Sequence, residues 1–249
     1  PGVINIVHGK GRIVGEAITN HPDVDLISFT GSTAVGKRIN EVAGKELKRV
    51  SLELGGKNAQ IVMADANMDL AIEAVLWGAF GTTGQRCTAT SRLILHKDIH
   101  DDFVKKLVEK ASKLRLGYGN DKGVDVGPCV SEAQRETVNN YVKIARDEDK
   151  ATLALGGDYS KDGDLSKGWF YKPTIFTGVT PEMRIAKEEV FGPVLAVLKC
   201  DSLENAIDIL NNTEYGLSSS IFTNNVNDAF TAVRDIQAGI TYINGATIG

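Results

Sequence analysis

Short apolar runs alternate with stretches of helical periodicity along the chain, and no other feature restricts its fold as much. Residues 3–7 read as a strand, 12–19 as a short helix, 26–29 as a strand, 34–43 as a helix and 50–54 as a strand. Strands separated by helices form βαβ units with a parallel sheet, and right-handed crossovers place both helices on one face of it. Beyond Gly55-Gly56 the alternation continues with strand 59–63, helix 69–80 with Asp69 as its candidate cap, and strand 92–96. A helix over 99–114 repeats apolar residues at Phe103, Leu107, Val108, Ala111 and Leu114, which is the spacing of one helical face. Ser131 opens a helix over 131–146, and the glycine- and aspartate-rich stretch 156–168 reads as an exposed loop or hairpin. Strand 194–199, helix 202–210, strand 218–222, helix 226–236 and strand 239–243 complete an α/β pattern.

The 249 residues suffice for one large or two smaller domains, and 42% hydrophobic with 24% charged residues is an ordinary globular composition. A formal net charge of −4 supplies no basic field for nucleic acid or for an anionic membrane surface. The longest apolar runs, such as 194–198, fall far short of the roughly 20 residues of a membrane-spanning helix. Pro1-Gly2-Val3-Ile4-Asn5 has neither the basic nor the apolar region of a signal peptide, and it reads as a start inside a domain. The cysteines, Cys87, Cys129 and Cys200, are odd in number and form no CxxC. They predict neither a disulfide framework nor a zinc site, and a reducing, cytoplasmic compartment. His96 and His100 stand four apart, but His96 ends a strand, so no metal site is expected.

Three places set glycine beside reactive or polar side chains. Phe29-Thr30-Gly31-Ser32-Thr33-Ala34-Val35-Gly36-Lys37 follows a strand and opens a helix. Backbone N–H groups reached across glycines suit a phosphate or pyrophosphate, hence a nucleotide, although a turn without ligand has the same pattern. The spacing from Gly31 to Gly36-Lys37 imitates a P-loop, but Arg38 stands where a magnesium-binding Ser or Thr is needed. In Leu52-Glu53-Leu54-Gly55-Gly56-Lys57, Glu53 ends an apolar strand. It is either a surface residue or a partly desolvated general base aimed into a cleft beyond the strand ends. In Gly84-Gln85-Arg86-Cys87-Thr88-Ala89, Cys87 lies in a polar loop next to Arg86. A lone cysteine is commonly a small buried hydrophobe, yet positive charge and free N–H groups favour a reactive thiolate. Cys129 and Cys200, in apolar settings, read as structural.

Together and in this order, the three elements resemble the aldehyde dehydrogenase superfamily. Phe29-Thr30-Gly31-Ser32-Thr33 is similar to its coenzyme-domain signature, Leu52-Glu53-Leu54-Gly55-Gly56-Lys57 to its glutamate motif, and Gly84-Gln85-Arg86-Cys87 to its cysteine motif. Cys87 follows Glu53 by 34 positions, as the family pattern requires, and Glu188-Glu189-Val190-Phe191-Gly192-Pro193 supplies a fourth match. The resemblance implies the C-terminal part of a Rossmann-like coenzyme domain over 1–56, followed by an α/β catalytic domain with a parallel or mixed sheet over 57–249. It implies Cys87 as nucleophile, Glu53 as general base, and NAD, with NADP as the alternative, as cofactor. Gly31, Ser32 and Gly36 would then serve the pyrophosphate turn, Leu54 and Gly55 the nicotinamide, and Glu189 and Phe191 the nicotinamide ribose. The family's oxyanion-hole asparagine and adenosine-ribose lysine have no counterpart in this sequence. The expected activity is oxidation of an aldehyde by a homo-oligomeric enzyme with no nucleic-acid or membrane partner. The stretches Gln85-Arg86-Cys87-Thr88-Ala89-Thr90-Ser91-Arg92 and Tyr242-Ile243-Asn244-Gly245-Ala246-Thr247-Ile248-Gly249 resemble members acting on semialdehydes. Cofactor-independent ester or thioester hydrolysis on the same cysteine, and a non-catalytic structural role, are the alternatives.

Overall fold

The structure, a computed structural model, describes residues 2–248. Pro1 and Gly249, the outer residues of the first and last motifs quoted above, lie outside the described residues. The chain divides between Gly55 and Gly56 into two units.

In the first unit a π-helical turn, Gly11–Gly15, leads into α1, Glu16–Asn20. Strand β1, Leu26–Thr30, and strand β2, Arg49–Glu53, pair in parallel, with Leu26 opposite Arg49 and Thr30 opposite Glu53. The crossover between them is α2, Thr33–Lys45, as parallel pairing demands. Helix α2 begins where it does because the Ser32 side chain accepts a hydrogen bond from Val35 N at 3.4 Å. Its buried Ile39 and Ala43 pack with Ile27 of β1, flanked by Phe29, Val50 and Leu52. The strand expected over 3–7 is not formed, and Val3, Ile4, Ile6 and Val7 are exposed. A β-branched, apolar run becomes a strand only with a ladder partner, and among the described residues β1 and β2 pair only with each other.

The second unit is built on a seven-stranded sheet in the order β5-β6-β7-β4-β3-β8-β9. Its strands are β3, Asn58–Val62; β4, Thr90–His96; β5, Thr152–Leu155; β6, Thr174–Thr177; β7, Val194–Cys200; β8, Ser218–Phe222; and β9, Ile240–Ile243. All neighbours run parallel except β5 and β6, so the sheet is mixed. The glycine- and aspartate-rich stretch after residue 155 is the connection of this antiparallel pair. It is tied by a bridge between Tyr159 and Tyr171 and holds a 3-10 turn, Gly163–Lys167.

Helices cover both faces of the sheet, and alternate strand residues serve one face or the other. Val62, Leu93, Leu95, Leu195 and Val197 pack under α3, Met68–Phe80, and α4, His100–Ala111. Ala59, Ile61, Ile94, Ala196 and Leu198 face the opposite cluster. That cluster includes α5, Glu132–Lys143; α6, Arg184–Lys187; α7, Leu203–Asn211; and α8, Val226–Asp235. With both faces covered, β3 and β8 are buried at every position. Each fully buried aliphatic side chain contributes about 1.5–3 kcal/mol. Among the described residues no helix is long and apolar enough to cross a membrane.

Helix α3 starts one residue earlier than its sequence suggests, and its cap is Asn67, not Asp69: Asn67 Oδ1 accepts from Leu70 N at 3.1 Å. Asp69 lies in the first turn, where a carboxylate acts only through the helix dipole. Asn67→Ala is therefore expected to lower stability by about 1 kcal/mol in urea denaturation, with a smaller loss for Asp69→Ala.

Candidate active site

Cys87 sits in the turn between α3 and β4, where four successive carbonyls are held from behind. Arg86 O accepts from Ala89 N at 3.1 Å, closing the turn. Asn58 Nδ2 donates to Cys87 O at 2.7 Å and to Ala89 O at 2.9 Å. Thr247 Oγ1 donates to Thr88 O at 2.8 Å, leaving its own oxygen to accept from the Thr90 hydroxyl at 2.8 Å. The N–H groups of Cys87 and Thr88 have no protein acceptor among the described residues. The turn thus fixes its acceptors into the body of the unit and keeps two donors free beside a half-buried thiol. The other two thiols are buried, and burial pushes both Cys129 and Cys200 up to about 11.

The approach to the turn is equally tight. Thr83 and Gly84 both have positive φ, 58° and 64°. A side chain on Gly84 would collide with the carbonyl of Gly192, so glycine is required for both conformation and contact. Gln85 clips the turn to its neighbour, donating to Pro128 O at 3.2 Å and accepting from Val130 N at 2.8 Å. Phe191, also at positive φ (54°), is partly exposed. Its strained backbone is gripped by Gln134 Nε2, which donates to Val190 O at 3.0 Å and Phe191 O at 2.9 Å.

The two adjacent glutamates in this region have opposite fates. Glu188 is taken up by Arg184, at 2.8 and 3.2 Å, and by the Tyr141 hydroxyl at 2.8 Å; the arginine holds its carboxyl below the usual range. Glu189 accepts from Gly56 N at 3.1 Å, and burial pushes its carboxyl above the usual range. Of the pair, only Glu189 retains an oxygen without a protein donor among the described residues, so it is the one able to accept from a ligand hydroxyl.

Behind the turn lie two buried cations, Lys57 and Arg92. Arg92 donates to Lys57 O at 2.9 Å and to the last carbonyls of α7, Ile209 O at 2.9 Å and Leu210 O at 2.8 Å. It caps that helix and pins the start of β3. Lys57 forms no ion pair within 4.0 Å among the described residues. Burial first, and then the charge of Arg92, push it down to about 7, against the smaller opposing pull of Glu189 and Glu188.

In the first unit, Gly31 and Ser32 are exposed at the head of α2, and Gly31 N donates to Glu53 O at 3.0 Å. The N–H groups of Ser32, Thr33 and Ala34 have no protein acceptor among the described residues, the pattern of a helix N-terminus that can receive a phosphate. Gly36 is buried against Leu54, whose side chain would collide with any Cβ there. Glu53 lies at the carboxyl end of β2 and is exposed. Glu53 and Cys87 belong to different units.

The sequence had not singled out Asn58, Arg92, Thr247 or the burial of Lys57. A signal was available in β3, where Asn58 and Gln60 interrupt an otherwise apolar, wholly buried strand. No group of three or more His, Cys, Asp and Glu residues among the described residues could hold a metal ion.

The chain matches the aldehyde dehydrogenase family along residues 1–249. It is similar to aldehyde dehydrogenase 1A1 of Bos taurus, 46% identical over 245 residues, which are 98% of this chain and 48% of the relative. Among solved structures it is similar to betaine aldehyde dehydrogenase from Staphylococcus aureus in complex with NAD+, with a TM-score of 0.94 and 36% identity over 96% of this chain and 47% of that one. It is likewise similar to PnpE in complex with nicotinamide adenine dinucleotide, with a TM-score of 0.93 and 42% identity over 96% of this chain and 48% of that one. The chain spans about half the length of the curated relatives it matches.

Two expectations follow from the thiols and the buried lysine. At about pH 8, iodoacetamide labels Cys87 at least tenfold faster than Cys129 or Cys200 in the folded chain; peptide mass spectrometry reads the order, and equal rates would contradict it. Lys57 binds its proton less tightly folded, near 7, than unfolded, at its ordinary 10.5. Its burial is therefore destabilising by a constant amount below about pH 7, and stability recovers as pH rises toward about 10. Lys57→Met is expected to be more stable than the parent at about pH 7, with the gap closing by about pH 10 in denaturant titrations.

Proposed function

The chain belongs to the aldehyde dehydrogenase family, and from that premise we propose that it carries the nucleophile and the general base of an NAD(P)+-dependent oxidation of an aldehyde to a carboxylic acid. The observation that carries this reading is the turn at Cys87, a half-buried thiol on a backbone whose carbonyls are tied down and whose N–H groups are free. The Cys87 thiolate adds to the aldehyde carbon, and the resulting oxyanion accepts a hydrogen bond from the Cys87 N–H. NAD(P)+, when bound, supplies the acceptor for the hydride that leaves this tetrahedral adduct. Cys87 is then left as a thioester. Glu53 takes a proton from the water that attacks the thioester carbonyl, which releases the acid and restores the thiolate.

In the same reading, Gly31 and Ser32 offer the N-terminus of α2 to the coenzyme phosphates, and Gly36 lets that helix approach its strand. Leu54 and Gly55 border the nicotinamide. Glu189 accepts from the ribose hydroxyls, for which its unpartnered oxygen is suited, and Phe191 packs beside them. NAD+ is the coenzyme to test first and NADP+ second, with semialdehydes as the first substrate class.

The test uses the purified protein with NAD+ and an aldehyde. Glu53→Gln is expected to keep acylation of Cys87, seen as an acyl adduct by mass spectrometry, while turnover falls by about 10²–10⁴. Cys87→Ala is expected to lose both. An adduct on Cys129 or Cys200, or wild-type turnover in Glu53→Gln, would refute the assignment. Turnover of esters that continues without NAD(P)+ would instead point to hydrolysis on the same cysteine.

A further inference from the structure

We propose that Asn58 is a positioning residue for Cys87, an inference that rests on reading Cys87 as the nucleophile. Asn58 opens β3, is only 3% exposed, and engages both amide N–H groups and its amide oxygen. One N–H is directed at Cys87 O and the other at Ala89 O, at 2.7 and 2.9 Å, while Oδ1 accepts from Ser218 N at 3.0 Å. A primary amide has two donors and an acceptor in one plane. No other side chain of this size has that set: serine has one donor, and ionised aspartate has none.

The second observation is Gly56. A Cβ at that position would collide with the Cys87 carbonyl oxygen and lie 2.9 and 3.0 Å from Asn58 Oδ1 and Nδ2. The Cys87 carbonyl is therefore held between the bare Cα of Gly56 and the Asn58 amide. Two carbonyls two residues apart, fixed by a single NH2 group, restrain the backbone between them. The peptide after Cys87 cannot rotate without stranding the buried Asn58 donor and breaking the bond to the part-buried Cys87 carbonyl. The anchored peptide is the one that follows the Cys87 Cα, so the restraint acts on the backbone from which Sγ projects, and a reacting group displaced by about 1 Å can lose about 100-fold in rate. Asn58 touches no reacting atom; it acts through the backbone of the residue that does.

Asn58→Asp is nearly isosteric and keeps the acceptor for Ser218 N, but turns two donors into a carboxylate facing two carbonyls. Asn58→Ser is neutral and keeps one donor at most. The comparison is made on the purified protein, by following acylation of Cys87 with aldehyde and NAD+, alkylation of all three cysteines, and NAD+ binding. The expected result for Asn58→Asp is a drop of about tenfold or more in both acylation and alkylation of Cys87, with an intermediate loss for Asn58→Ser. Cys129 and Cys200 stay as slow to label as in the parent, and the NAD+ dissociation constant stays within about twofold. A merely structural role would instead expose Cys129 and Cys200 and weaken NAD+ binding in step with Cys87. Folded Asn58→Ser or Asn58→Asp protein with Cys87 acylated and alkylated within about twofold of the parent rate would overturn the proposal. If the parent itself shows no acyl adduct on Cys87, the catalytic reading fails, while the alkylation difference still reports whether Asn58 holds the turn.

Discussion

The amino end of β3 is buried together with the polar groups it carries, and much of the larger unit is arranged to satisfy them. Lys57 O receives Arg92, Asn58 receives Ser218 N and grips the cysteine turn, and Gly56 N is met by Glu189. These bonds reach β4, β8, the turn after α3 and the loop before β7, elements far apart in sequence. A buried polar group left unpaired costs about 1–3 kcal/mol, so each of these partners is under pressure to stay where it is. The same bonds that hold the strand therefore hold the Cys87 turn. The geometry of the cysteine turn and the geometry of the sheet are one constraint here.

Adjacent residues of like chemistry diverge because of what the fold places beside them. Glu188 and Glu189 are the same side chain on neighbouring positions, yet an arginine and a tyrosine occupy the first, and a single backbone N–H the second. Burial raises the carboxyl of Glu189 against the smaller pulls of the Gly56 N–H and of Lys57, whereas Arg184 lowers that of Glu188. Three cysteines divide in the same way: two are enclosed in the cores, and Cys87 is the thiol on a polar turn. Lys57 sits against the trend. Its side chain is buried beside Arg92, and burial together with that charge pushes it down to about 7.

Much of the fold was legible because both faces of a parallel sheet must be apolar and the crossovers must be helical. Strands β4, β7 and β8, and helices α2, α7 and α8, follow from local periodicity to within a few residues. Strands β5 and β6 escaped notice, since each has four residues and they pair at and near an edge, where pattern is short and exposure mixed. The stretch over 3–7 shows the converse error: β-branched composition suggests a strand, but strand formation depends on a partner that composition cannot supply. At the N-terminus of α3 the sequence pointed to Asp69 as the cap, and backbone geometry gives that place to Asn67.

The sequence by itself determined the α/β class, the membership signalled by its glycine, glutamate and cysteine motifs, and the separateness of Cys87 from the other two thiols. Those properties are local: they depend on residue type, on spacing and on the neighbours within a turn or two. The tertiary structure alone decided that Asn58 holds the cysteine turn, that Arg92 caps α7 while bonded to Lys57, and that Glu53 is open to solvent in its unit. Each of these is a pairing between segments distant in the chain, or an exposure set by which strands lie alongside. Hydrogen-bond partners across a sheet are chosen by strand order, and strand order is a property of the whole unit rather than of any stretch within it.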